Sequence, residues 1–250
     1  MSVGDVALLL AAGLAAGLAG SVAGLASLFS YPALLAVGLP PVTANTTNTV
    51  ALVFNSIGSA SASRPELTGQ RTRLRRLGAA GVAGGLLGGA LLLLGPAGVF
   101  EKIVPWLIGI GSVAILVRPR TAQETPLHER PDSPPVLAGT FVIGIYGGYF
   151  GAAAGVLLLA LLLALTSEPL ARANAVKNVV LGLANLVAAV VFVIFGSVAW
   201  SAAIPLAVGF FAGGRAGPVL VRHAPAGVLR VLIALAGVGL AVYLGIGAYA

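Results

Sequence analysis

VALLLAAGLAAGLAGSVAGLASLFSYPALLAVGLPPVTANTTNTVALVFNSIGSASAS, residues 6 to 63, contains no Asp, Glu, Lys, Arg or His. Further charge-free runs fill residues 77 to 100, 133 to 167, 178 to 214 and 231 to 250. A helix rises about 1.5 Å per residue and needs about 20 mostly apolar residues to cross the hydrocarbon core. These runs therefore supply several crossings of a lipid bilayer. They hold most of the 35 glycines and show no alternation of apolar and polar residues. That pattern predicts an all-α, polytopic bundle of close-packed helices rather than an outer-membrane barrel.

The rest of the composition narrows the function classes. A net charge of +7 would point to nucleic acid in a soluble protein. Here the basic residues sit in short segments between apolar runs, where they act as topology signals, so no nucleic-acid partner is expected. The absence of cysteine excludes disulfides and thiolate chemistry. Only Asp5 precedes the first apolar stretch, with no basic region, so Met1 to Ala16 is expected to stay in the membrane rather than be removed as a signal peptide.

Residues 118 to 135 mix Arg118, Arg120, Glu124, Glu129, Arg130 and Asp132 with Pro119, Pro126, Pro131, Pro134 and Pro135, which reads as a solvated cytoplasmic linker. It separates a first transmembrane repeat, 1 to 117, from a second, 136 to 250. Pro40, Ala44 and Asn45 fall 129 residues before Pro169, Ala173 and Asn174, and Gly17, Gly20 and Gly24 fall 131 before Gly148, Gly151 and Gly155. Each half thus opens with a long small-residue segment, then a Pro, an Ala-Asn step and three more apolar stretches.

Arg64, Arg71, Arg73, Arg75 and Arg76 against one Glu66 should hold the 64 to 76 loop in the cytoplasm, with crossings at 77 to 95 and 103 to 117 returning the chain to the same side. In the second half the matching loop, Gly196 and Ser197, is uncharged; Arg215, Arg222, His223 and Arg230 surround the next one. If both basic sets are cytoplasmic, the halves have opposite orientations, as in the inverted repeats of many transporters. Each opening segment, roughly 3 to 39 and 136 to 168, must then leave and return on one side as a Gly-broken helical hairpin. Counting each as a single crossing instead gives eight helices in parallel repeats, but leaves Arg172, Lys177, Arg222 and Arg230 outside. Inversion is the favoured reading.

Polar side chains at membrane depth need partners, a cavity or a substrate. They cluster in TANTTN, 43 to 48, with Asn55 and Ser56 beyond it, and in ARANAVKN, 171 to 178, with Asn185 beyond. Each cluster follows a Pro and precedes an apolar run. Each is thus expected to start a helix, capped by Thr43, Asn45 or Asn174, and to offer unpaired N–H groups and a positive dipole end to an anion. The alternative is that Asn and Thr only cap helices and bond between them. Lys177 opposes the dipole of its own helix start; it either snorkels to the interface or contacts an anion. The stretch GGYFGAAAG, 147 to 155, permits close approach of helices or substrate, and Tyr146 and Tyr149 line that break or an aromatic belt. Arg215 is expected to snorkel from the cytoplasmic end of its helix.

The acidic residues Asp5, Glu66, Glu101, Glu124, Glu129, Asp132 and Glu168 all fall in loops or near segment ends, and His128 and His223 are in loops. No carboxylate proton relay, zinc motif or Ser-His pair can be assembled, so an enzyme is not expected and no cofactor or metal is called for.

The order YPALLAVGLPPVTANTTN, RPELTGQR, GGLLGGALLLL and FEKIVPWLI, then GIYGGYFGAAAGVLLLALL, ARANAVKNVVLGLANLVAAVVF and GGRAGPVL, resembles the sulfite exporter TauE/SafE family of membrane permeases. Where that family often carries a Gly triplet, this chain has Leu25, Ala26 and Ser27 before Tyr31 and Pro32. The resemblance implies a multi-pass protein of the bacterial cytoplasmic membrane that moves sulfite, sulfonates or other small organic or sulfur-containing anions. The expected substrate-binding residues are Asn45, Thr46, Thr47, Asn48, Asn55, Tyr149, Gly151, Gly155, Asn174, Lys177, Asn178 and Asn185. The partners are a small-molecule anion and membrane lipid, with a homodimer left open. An anion leaving a negative interior gains about 2.3 kcal/mol per charge per 100 mV, which favours uncoupled export. A channel, a proton-coupled importer of a small carboxylate or sulfonate, and a membrane scaffold are the competing classes.

Overall fold

A computed structural model describes residues 1 to 96, 98 to 100, 133 to 166 and 168 to 221, with Lys102, Ile103, Trp106, Val242 and Ile246. Most of the 118 to 135 linker, the predicted 103 to 117 crossing beyond Trp106, and Arg222, His223 and Arg230 lie outside the described residues. Those described form helices α1 (Val3–Ala23), α2 (Ser27–Ala36), α3 (Pro41–Ala62), α4 (Arg64–Leu67), α5 (Arg71–Leu94), α6 (Pro134–Tyr149), α7 (Ala154–Leu165), α8 (Leu170–Phe195) and α9 (Trp200–Val221), and no strand. With no water in the hydrocarbon to satisfy backbone groups, helices close their own hydrogen bonds.

Helices α1, α5, α8 and α9 are long and apolar enough to cross a membrane. Helix α3 is as long, 22 residues, but carries the Thr and Asn cluster. That cluster is turned inward: Asn45, Thr46, Thr47, Asn48 and Thr49 are all buried. Each opening segment is split into two helices, α1 with α2 and α6 with α7. Gly24, at φ +80°, ends α1, and Gly151 and Ala153, at φ +75° and +63°, break the chain between α6 and α7.

Two expectations need correction. Neither Asn45 nor Asn174 caps its helix: the N-caps are Pro40 and Pro169, with no side-chain cap bond. Proline fixes φ near the helical value and brings no N–H to satisfy, so it can open a helix unaided. This frees the Asn and Thr side chains one turn in to reach other helices. The basic run is likewise not a loop, because α5 begins at Arg71 and takes Arg71, Arg73, Arg75 and Arg76 into its first turns. Arginine is a good helix former, and its long stem lets an exposed guanidinium leave the apolar layer.

Glycine sets the packing and reveals helix directions. On α1, Gly13 lies against Gly209 and Gly17 against Gly213 of α9, so the two run the same way. Thr47 meets Ala199 and Gly58 meets Phe211, aligning α3 with α9. On α5, Gly84 and Gly88 face Phe141 and Ile145 of α6, while Gly81, Gly85 and Gly89 face Val180, Ala184 and Ala188 of α8; these three are also co-directional. Between the trios the register reverses, since Ser59 meets Asn178 and Ser56 meets Gly182. In lipid there is little hydrophobic drive between helices, and such small-residue seams supply the van der Waals contact that replaces it. At Gly88 an added methyl would lie 2.0 Å from the Ile145 carbonyl oxygen, which leaves no room for any other residue.

The short arms occupy the interior of their trios. Leu28, Tyr31 and Leu34 of α2 belong to one buried cluster with Leu9, Leu206 and Phe210. Leu158, Leu159 and Leu162 of α7 belong to a second with Leu77, Val136, Val176 and Val180. Phe150, at the break between α6 and α7, also belongs to the first cluster, and its ring meets that of Tyr31 edge to face at 5.2 Å.

Candidate functional site

Where the two broken hairpins meet there is a cavity of about 40 Å³. It is lined by Gly20, Gly24, Ala26, Ser27, Leu52, Asn55, Ser56, Gly151, Ala154, Gly155, Lys177, Asn178, Leu181 and Asn185. Larger concavities lie elsewhere, about 310 Å³ beside the exposed Phe54, Ile204 and Val208 and about 710 Å³ beside Arg71 and Arg75. The first is wholly apolar and the second is a shallow surface on α4 and α5. Of these three, among the described residues, the small cavity is the one that gathers polar groups from both halves of the chain at depth.

Its one charged lining residue is Lys177, 1% exposed, whose Nζ donates to the Gly20 carbonyl at 3.2 Å. Gly20 O also accepts from the Gly24 N–H at the end of α1, at 2.8 Å, and α8 supplies further donors to the carbonyls of this last turn. Ser21 O accepts from Asn174 Nδ2 at 2.9 Å and from Asn178 Nδ2 at 3.1 Å, and Asn178 Nδ2 also donates to Ser59 Oγ at 2.6 Å. The other half repeats the arrangement: Asn45 Nδ2 donates to Tyr149 O, the last residue of α6, at 2.8 Å. Tyr146 donates its hydroxyl to Ala152 O across the same break. In the 129-residue register Asn48 stands where the second half has Lys177, and its Nδ2 donates to Ser27 Oγ at 3.0 Å.

The halves are thus alike in their tethers and unlike in charge. Helices α2 and α7 begin beside the cavity, with Ala26, Ser27, Ala154 and Gly155 in its lining. Their N–H groups are donors there, and their positive dipole ends lie beside the negative ends of α1 and α6. The two helix starts expected to offer donors to an anion, those of α3 and α8, do not face each other. They lie at opposite ends of the bundle: Thr46 and Thr47 bind Ser197 O and Ala199 N at one end, and Arg73 pairs with Glu168 at the other.

Of the twelve expected site residues, Asn55, Gly151, Gly155, Lys177, Asn178 and Asn185 line the cavity. Asn45, Thr46, Thr47, Asn48 and Asn174 spend hydrogen bonds on other helices, and Tyr149 stacks its ring on Phe100 at 5.8 Å. Gly20, Gly24, Ala26, Ser27, Leu52, Ser56, Ala154 and Leu181 complete the lining. Gly20 and Gly24 are visible in the sequence as matches to Gly151 and Gly155, and Ser27 only as part of the departure from the family's Gly triplet. Arg215 reaches Ser61 Oγ at 3.3 Å near the end of α9, away from the cavity.

The family model described as sulfite exporter TauE/SafE matches residues 9 to 244. The chain is 26% identical over 216 residues to the probable membrane transporter protein YfcA of Escherichia coli K12, covering 85% of this chain and 79% of that one. It is 28% identical over 225 residues to the probable membrane transporter protein ORF9 of a Sinorhizobium species, covering 88% and 85%. A probable membrane transporter protein of Haemophilus influenzae is 25% identical over 236 residues, covering 92% and 90%. No solved structure matches. With a match along nearly its whole length, four helices fit to cross a membrane and relatives named as transporters, the chain belongs to the sulfite exporter TauE/SafE family and is a multi-pass membrane transporter, not an enzyme.

Proposed function

We propose that the protein exports a small organic or sulfur-containing anion, of the sulfite or sulfonate class, across the cytoplasmic membrane, binding it at Lys177. The observation that carries this reading is an ammonium group 1% exposed in a cavity with no carboxylate among its described lining residues. Among the described residues its hydrogen-bond partner is the neutral Gly20 carbonyl, and an anion is a stronger one. Intramembrane charge is costly and marks substrate pathways. At about 40 Å³ the cavity has room for roughly three water-sized groups, the scale of the three oxygens of a sulfonate head.

Two inverted repeats, 1 to 117 and 136 to 250, supply the moving parts. In support, α1 and α6 run in opposite directions, and α1 and α3 pack on α9 as α6 and α8 pack on α5. Arg64, Arg71, Arg73, Arg75, Arg76, Arg172 and Arg215 collect at the end where α3 and α9 finish and α5 and α8 start. The positive-inside rule makes that end cytoplasmic. Export is favoured because no carboxylate stands among the described lining residues: an outgoing anion runs down the membrane potential without a coupled cation.

The test is anion flux in proteoliposomes under a set potential, comparing sulfite, sulfoacetate, taurine, sulfate and a short carboxylate. Saturable, potential-driven flux of a sulfite or sulfonate that stops in Lys177→Ala is expected. Unsaturated conductance would make the protein a channel, and flux unchanged in Lys177→Ala would remove the site.

A further inference from the structure

Among the described residues the cavity holds a single full charge, and the helix ends around it add little net charge of either sign. Each hairpin break joins a helix end to a helix start: α1 finishes at Ala23 and α2 begins at Ser27, and α6 finishes at Tyr149 and α7 begins at Ala154. The negative dipole end of one helix therefore lies beside the positive end of the next, and the two half-charges largely cancel. The Asn178 amide has both N–H groups committed, to Ser21 O and Ser59 Oγ. What is left to balance an incoming charge is the Lys177 ammonium, bonded to Gly20 O at 3.2 Å.

We propose that this site selects monoanions: one negative charge, on a tetrahedral or pyramidal oxyanion head, neutralises Lys177, and a second is rejected. This rests on the reading of the cavity as an anion site and adds a rule of charge to it. A monoanion and the ammonium form a neutral buried pair. A dianion leaves one negative charge without a counter-charge in a low-dielectric interior, and an uncompensated buried charge is the costliest outcome for a binding site. Hydrogen sulfite and sulfonates thus satisfy the site, while fully ionised sulfite and sulfate do not.

Methanesulfonate and methylphosphonate separate charge from shape. They are close to isosteric; the first is a monoanion throughout, while the second gains its second charge as pH rises. Binding of each to the full-length protein in lipid nanodiscs is measured by calorimetry below and above that second ionisation. Methanesulfonate also corrects for any change in the protein itself. The affinity of methylphosphonate relative to methanesulfonate is expected to fall at least about tenfold, a little over 1 kcal/mol, across the ionisation. Lys177→Met should lose methanesulfonate while remaining folded by thermal shift. A constant affinity ratio would overturn the charge rule and leave the anion site standing. Failure of both anions to bind at either pH would overturn the rule together with the site.

Discussion

Gly24 and Gly155 meet backbone to backbone: a methyl on Gly24 would lie 2.3 Å from the Gly155 carbonyl carbon, and one on Gly155 would lie 2.3 Å from Gly24 Cα. The two broken hairpins touch at this point, on the wall of the cavity. Gly155 has a helical backbone in the first turn of α7, where alanine is favoured over glycine by up to about 1 kcal/mol. Gly155→Ala should nevertheless destabilise, because overpacking a rigid contact costs about 1–3 kcal/mol. A thermal melt in detergent should shift down by several degrees, at about 2–4 °C per kcal/mol for a chain of this size. A melt shifted upward would mean that the hairpins do not touch.

Asn45 and Asn174 hold the ends of α6 and α1 through one amide hydrogen bond each, Asn45 to Tyr149 O and Asn174 to Ser21 O. Replacing either by alanine should cost about 1 kcal/mol, since a neutral bond is lost and a carbonyl loses a donor. The isosteric aspartate should be worse at both positions, because it removes the donor and buries a charge facing an acceptor. Melts ranked native, alanine, aspartate from most to least stable are expected for both pairs. Equal melts for alanine and aspartate would mean that these amides are solvated.

Arg73 and Glu168 tie the start of α5 to the segment entering α8, with Nη1 and Oε1 3.2 Å apart and exposures of 6% and 15%. Thr166 Oγ1 accepts from Arg73 Nη2 at 3.3 Å, and Arg172 reaches the second Glu168 oxygen at 3.6 Å. Removing one partner from a buried pair costs about 3–5 kcal/mol, and the share of charge carried by exposed Arg172 places Glu168→Gln at the low end. Its melt should fall, and Arg73→Met combined with Glu168→Gln should recover part of the loss. Additive losses in the double variant would mean that the two side chains act independently.

The charge-free runs announced the helices, and the Gly break at 147 to 155 announced the join of α6 and α7, because lipid and backbone sterics act locally along the chain. Lys177 and Asn178 could be singled out for the same reason: polarity within an apolar run is visible wherever it falls. The destinations of Asn45, Thr46 and Asn174 could not be read, since their acceptors, Tyr149 O, Ser197 O and Ser21 O, are backbone atoms more than a hundred positions away with no side-chain signature. Arg73 shows the opposite limit. It looked like its neighbours Arg71, Arg75 and Arg76, yet it alone of the four is buried, paired with Glu168.

Lys177→Met separates a binding role from a structural one. The ammonium is enclosed on all sides and bonded to Gly20 O, so the folded protein bears the cost of desolvating it. Methionine has a similar length and no polar atom that needs a strong partner. Replacing a buried charged group by a well-packed apolar one is often neutral or stabilising by about 1–4 kcal/mol. The Gly20 carbonyl keeps a donor afterwards, because Gly24 N–H also reaches it at 2.8 Å. The expected outcome is therefore a melt equal to or above that of the native protein together with loss of anion flux, the pattern of a residue kept for function at the expense of stability. If Lys177 instead served only to hold α8 against the end of α1, the same substitution would lower the melt and leave flux through the surviving folded fraction unchanged.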